Sequence, residues 1–152
     1  MKQTASILNP FQPASLITIT AEQHHSCISL HKLVSKIKMG LSFKAIHKTE
    51  LVVNNVATEL LVSTDKAALG TLLNSLLSNM LLHGQNDAII LSAKVIGNIT
   101  VVHIKTSDTG QMDAISDTID SIQPMARSIG GCITISNSKF HGIDLAFTFV
   151  NH

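Results

Sequence analysis

Asn79 is a carboxamide set inside an apolar run. From Leu69 to Gly84 the chain reads LGTLLNSLLSNMLLHG, with apolar residues at Leu69, Leu72, Leu73, Leu76, Leu77, Met80 and Leu81 around it. A buried amide is unfavourable unless something bonds it. Asn79 therefore either serves a neighbouring backbone group or is aimed at a pocket as a binding residue. A second candidate is Asp108 in Ser107-Asp-Thr-Gly110. Asp-Thr-Gly after an apolar strand is a turn able to present a carboxylate into a cavity, or an ordinary turn. A third group, His24, His25, Cys27 and His31, has metal-ligand side chains. Its spacing matches no standard zinc pattern, and a strand or loop there would scatter the side chains. A polar surface segment is the plainer reading.

The elements that must position these residues follow from periodicity. The apolar spacing around Asn79 is helical, with a wide stripe. Ser63, Thr64 or Asp65 is the candidate cap of this helix, and His83-Gly84 is its stop. An earlier helix is predicted from Ser29 to about Ala45, with Ser29 as N-cap and Leu30, Leu33, Val34, Ile37 and Leu41 as its apolar face. Lys32, Lys36, Lys38 and Lys44 lie off that stripe and read as a solvated face. Strands are predicted at Ser15–Thr20, Glu50–Asn54 and Glu59–Ser63, with a connection over Ala21–Ser29 and a turn at Asn54-Asn55. Asp87–Ile96 and Ile99–Thr106 form a hairpin about Gly97-Asn98. Gln111 to about Ser121 reads as polar and irregular, followed by a short helix from Pro124 to Ile129 with Pro124 near its first turn. A second hairpin joins Cys132–Ser136 to Leu145–Val150. The fold class expected is α/β: a two-layer sandwich of one mixed, mostly antiparallel sheet with about three helices on one face.

The chain has 152 residues, enough for one domain with one core. Residues 1–15 carry Pro10 and Pro13 and read as an arm or linker, leaving 16–152 as the domain. With 45% hydrophobic and 14% charged residues it is globular rather than disordered. A net charge of +1 and the absence of Trp and Tyr argue against nucleic acid as the main partner. The apolar runs are too short to span a bilayer, and the N-terminus lacks the apolar core of a signal peptide. A cytoplasmic protein with Cys27 and Cys132 reduced is the expectation.

Taken together, these pieces resemble the ATP-binding domain of sensor histidine kinases, within the wider family that also holds gyrase, Hsp90 and MutL. The likeness covers about Ile28 to Val150. Ile28-Ser-Leu-His-Lys-Leu-Val resembles the opening helix. Glu59-Leu-Leu-Val-Ser-Thr-Asp resembles the strand and cap before the nucleotide-binding helix. Leu73-Asn-Ser-Leu-Leu-Ser-Asn-Met-Leu-Leu-His-Gly84 resembles the N-box. Lys105-Thr-Ser-Asp-Thr-Gly110 resembles the first glycine box. Ala126-Arg-Ser-Ile-Gly-Gly-Cys132, then Gly142 and Phe147-Thr-Phe-Val150, resembles the last helix and hairpin. The resemblance implies ATP and magnesium as cofactors. It implies Asn79 as the metal-binding oxygen, Asp108 as acceptor for the adenine amino group, Gly110 as the close-approach glycine, and Ser75 and His83 as further nucleotide-binding positions. It also implies two-component signalling, with a kinase, a response regulator or a sigma-factor regulator as partner and a homodimer as one assembly.

Departures from the family pattern point to impaired chemistry. The polar residue one turn before the metal-binding Asn is Ser75, a poor general base. Asn74 is one residue early, which rotates it by about 100° about the helix. Leu82 replaces a basic or polar residue, and Met112 replaces the second glycine of the first box. The flexible lid and its glycine-rich second box have no counterpart: only Gln111 to about Gln123 bridges Gly110 to the last helix. Asp113, Asp117 and Asp120 stand there instead of glycines, where they would repel a triphosphate. No residue is assigned a catalytic role. The expectation is a degenerate ATP-binding domain with weak or no ATP binding and no kinase activity on its own. The alternative is a working nucleotide-binding kinase acting in trans, similar to the anti-sigma-factor serine kinases.

Overall fold

Ser29 closes a short strand and opens a helix. In the computed structural model, which describes residues 25–41, 51–83, 87–107, 112–138 and 140–152, β1 (His25–Ser29) runs directly into α1 (Leu30–Leu41). The Lys32 backbone N–H donates to the Ser29 hydroxyl at 3.4 Å, the N-cap arrangement read from sequence. The predicted stripe Leu30, Leu33, Val34, Ile37 and Leu41 is buried. The expected extension to Ala45 lies outside the described residues, as do the arm at 1–15 and the strand at Ser15–Thr20.

The first correction is β1 itself, since a connection was expected there. It pairs antiparallel with β3 (Leu61–Asp65), Ile28 opposite Val62. Only that pair buries well, while His25 and Cys27 are exposed. One anchored apolar pair leaves little alternation to read. β3 also begins two residues later than predicted, because Glu59 stays exposed in the approach.

Asp65 is the cap chosen from the three candidates: its Oδ1 accepts the Ala68 N–H at 3.0 Å. It opens α2 (Lys66–His83), the helix that carries Asn79. All seven predicted apolar positions of α2 are at most 2% exposed.

The main sheet has the order β2-β4-β5-β7-β6. β2 (Val52–Asn54) runs parallel to β4 (Ile89–Ile96), and every other pairing, through β5 (Ile99–Thr106), β7 (Gly142–Val150) and β6 (Gly131–Ser138), is antiparallel. The hairpin β4–β5 turns at Gly97-Asn98, where Gly97 takes the left-handed φ of 62° that a two-residue loop requires. Alternation is strict on the inner strands: Thr100, Val102, Ile104 and Thr106 of β5 are buried, as are Ile143, Leu145, Phe147 and Phe149 of β7. The two-layer α/β sandwich is therefore present, with the β1–β3 pair as a separate two-stranded ribbon rather than part of one sheet. Asn151 ties that ribbon to the main sheet. Its Oδ1 accepts the Ser63 N–H at 3.3 Å and the Thr100 hydroxyl at 2.9 Å, and the His152 N–H donates to the Ser63 carbonyl at 3.0 Å.

The second correction concerns α3 (Met112–Ser128), a single helix of 17 residues with Pro124 inside it. Gln111–Ser121 was expected to be irregular, with a short helix starting at Pro124. Ile115, Ile119 and Ala126 are buried, and Met112 and Ile122 pack against the same core. These five positions are spaced by three, four, three and four, one face of a helix. The three aspartates lie exposed on the other side. Gln123 fixes this helix to the sheet edge. Its amide donates to the Ile133 carbonyl at 3.0 Å and accepts the Ile133 N–H at 2.9 Å, so it occupies the place of a further strand along β6. Gly130, with φ of 73°, ends the helix.

Candidate functional site

α2 is the middle helix of the layer, packed against α1 on one side and α3 on the other. Its side chains divide into a buried stripe and two edges. Ser75 and Asn79, four residues apart, share one edge; Gly70 and Asn74 share another about 140° away around the axis. The second edge faces α1: a Cβ on Gly70 would meet Leu33 Cδ1 at 3.8 Å, and Asn74 lines a groove with Leu33 and Ile37. The Ser75–Asn79 edge is thus the one turned toward α3. The one-residue offset between Asn74 and Ser75 separates two faces of the helix, as the sequence reading required.

Asn79 is half-buried, and its side-chain oxygen is shielded from solvent without a hydrogen-bond partner. The amide does not serve a neighbouring backbone group through that oxygen. An unbonded buried acceptor is destabilising by about 1–3 kcal/mol. It is also the donor type a hard cation takes, since magnesium prefers oxygen and keeps several waters or phosphate oxygens besides one or two protein ligands. The residues present therefore fit magnesium at a single protein ligand, with the half-buried Ser75 one turn away on the same edge.

The remaining candidates gather less. His83 is the last residue of α2, and its side chain lies outside the described residues. Asp108 and Gly110 also lie outside them. Their surroundings are described on two sides. β5 ends at Thr106, and α3 starts at Met112, so the connection spans residues 107–111 only. Gly142, with φ of 76°, brings the start of β7 against this point: a Cβ there would collide with the Thr106 carbonyl oxygen and sit 2.6 Å from Ser107 Cα. Only glycine gives both that φ and that approach.

Among the described residues the histidine and cysteine group does not assemble. His25 and Cys27 project from β1, His24 is outside the described residues, and His31 Nδ1 lies 2.7 Å from the Val56 carbonyl oxygen. Among the described residues no three His, Cys, Asp or Glu side chains are placed to hold a metal ion. Cys27 and Cys132 are both free and exposed. His103 and Asp144, 3.1 Å apart, form a cross-strand pair with Lys105 at 3.8 Å on the sheet face away from the core. Among the described residues no helix is long and apolar enough to cross a membrane.

Two features escaped the sequence reading. The Gln123 clamp has no local signal, because its partner lies on a strand packed only in three dimensions. The five-residue connection before α3 was available in the Met112–Ile122 spacing.

No family profile matches the chain, and no curated protein sequence does. Solved structures do match it. The Acinetobacter baumannii histidine kinase AdeS is 13% identical, with a TM-score of 0.70 over 93% of this chain and 74% of that one. Full-length ShkA in complex with AMPPNP is 14% identical, with a TM-score of 0.66 over 86% of this chain and 32% of that one. Histidine kinase ThkA in complex with the response regulator TrrA is 15% identical, with a TM-score of 0.61 over 91% of this chain and 46% of that one. The chain has the fold of histidine kinase catalytic domains.

Proposed function

We propose that the chain is a degenerate histidine-kinase-type ATP-binding domain, residues 16–152, that works in two-component signalling in the cytoplasm. It binds an adenine nucleotide weakly and has no kinase activity on its own. The observation that carries this reading is the start of α3. A lid and a second glycine box would have to fit within residues 107–111, and the helix that follows is fixed to the sheet edge by Gln123. Without a lid, backbone N–H groups are not brought to the phosphates, and water is not excluded from them.

What remains is the base-recognition end. Asp108 and Gly110 would hold the adenine, and Asn79 would hold magnesium, with Ser75 and His83 beside it. Bound magnesium would offset phosphate charge. Asn79 would contribute its otherwise unbonded oxygen, and Ser75 is too weakly basic to take a proton from an attacking group. The phosphate tail would lie in solvent, so ATP, ADP and adenosine should bind with similar strength. ShkA was solved with AMPPNP and ThkA with a response regulator. By analogy the partner is a signalling protein: a kinase, a response regulator or a sigma-factor regulator.

The unbonded Asn79 oxygen also favours a second reading, in which full nucleotide binding is retained and a partner is phosphorylated in trans. Incubation with γ-labelled ATP and candidate partner proteins separates the two. The proposal expects no label on the chain or its partner. It also expects Asp108→Asn to abolish adenosine binding while leaving the fold intact by circular dichroism. Label on a partner, lost in Asn79→Ala, would establish the second reading, and adenosine binding unchanged in Asp108→Asn would remove the base-recognition end from the proposal.

A further inference from the structure

The opposite edge of α2 borders a groove that the nucleotide reading does not use. It has a volume of about 700 Å³ and runs between α1 and the first turns of α2, with Leu33 and Ile37 as apolar floor and Lys36 and Lys66 on its walls. A smaller groove of about 360 Å³ shares Leu33, Lys36 and Lys66 and adds Lys32. The three lysines are exposed, and among the described residues no carboxylate lines either groove. Asp65, next to Lys66, is engaged in capping α2. Among the described residues the ion pairs are confined to His103, Lys105 and Asp144, so these lysines have no acidic counterpart there.

The matching surface is on the same chain. Asp113, Asp117 and Asp120 of α3 are exposed and spaced by four and three residues. They fall within about 60° of one another and span about 10 Å along the helix. Pro124 continues the same line as an exposed apolar residue. Lys32 and Lys36, four apart on α1, make a comparable line of about 6 Å. Within one molecule the two surfaces cannot meet, because α2 stands between α1 and α3.

We infer that two copies of this chain associate with the aspartate line of α3 in one copy seated in the lysine groove of the other. A two-fold axis makes both contacts at once and closes the assembly. Pro124 faces the Leu33–Ile37 floor, and the charges give the register. The pair is a weak, salt-sensitive dimer, since exposed charges are screened beyond about 8 Å at physiological ionic strength.

Sedimentation velocity over a concentration series tests this. The wild-type chain should dimerise at low salt, with dissociation favoured at least roughly tenfold in about 0.5 M salt. K32E/K36E and D113K/D117K should each be monomeric, since like charges then face each other. A one-to-one mixture of the two variants should restore the dimer, because both contacts become complementary again. Circular dichroism confirms folding of each variant, with K32Q/K36Q replacing the reversal if it fails to fold. A monomeric wild type overturns the inference, and so does a dimer unchanged in both variants, which would use another face. Binding of an acidic peptide to a monomeric wild type, lost in K32E/K36E, would give the groove a different occupant and also overturn it.

Discussion

The two edges of α2 differ in what their polar residues do. Toward α1, Gly70 and Asn74 border an open, lysine-walled groove, with Asn74 half-buried at its edge. Toward α3, Asn79 keeps a carbonyl oxygen away from water with nothing to bond it. The same helix thus carries one edge whose polar side chains border an open groove and one edge with a buried oxygen that makes no hydrogen bond. Natural sequences accept such local conflict where function requires it. The buried, unbonded oxygen, rather than the open groove, is the feature on which the proposed ligand position rests.

The largest expected effect removes the stripe that holds both edges. Leu76→Ala should lower unfolding stability by about 2–5 kcal/mol in urea titrations, because a fully buried side chain leaves a cavity. Next comes the clamp that holds α3 beside the Asn79 edge. Gln123→Ala should lower stability by about 1–2 kcal/mol by freeing the Ile133 backbone groups, with hydrogen exchange at Ile133 reporting the loss. Asn79→Leu should act in the opposite direction, raising stability by about 1 kcal/mol as the unbonded oxygen disappears. A fall in its urea midpoint would mean that the amide is structurally satisfied and that the comparison fails. On the other edge, Gly70→Ala should add about 0.5–1 kcal/mol through helix propensity, since the new Cβ makes only an ordinary contact with Leu33. Asn74→Leu should change stability by less than about 0.5 kcal/mol, as expected of a position open to the groove. The contrast between Asn74→Leu and Asn79→Leu is the sharpest form of the comparison.

Much of the scaffold was legible in the sequence because periodicity is a direct signal. The stripes of α1 and α2, the Ser29 cap and the Gly97 turn could be read from residue type and spacing, and the α2 cap to one of Ser63, Thr64 and Asp65. The first half of α3 carries the same signal at Met112, Ile115, Ile119 and Ile122, but polar residues outnumber apolar ones there and Pro124 suggested a start rather than an interior position. Proline lacks the N–H that would bond Asp120, yet the helix continues through it because Ile122 and Ala126 are held against the core. β1 was missed because only Ile28 buries firmly. At the site, the helical spacing of Ser75 and Asn79 was readable, and so was the absence of glycines between Gln111 and Gln123. The unbonded state of the Asn79 oxygen was not readable, since it depends on which neighbours the tertiary packing withholds. The lysine residues of α1 were read as a solvated face, and only the packing of α1 on α2 shows that Lys32 and Lys36 stand over a groove with Lys66.

Calorimetric titration of the wild-type chain with ATP, ADP and adenosine, each with and without magnesium, separates base recognition from phosphate recognition. The account predicts millimolar binding of all three, within about tenfold of one another, with adenosine independent of magnesium. Micromolar ATP binding that requires magnesium and disappears in Asn79→Ala would contradict it, because the phosphate end would then be working without a lid.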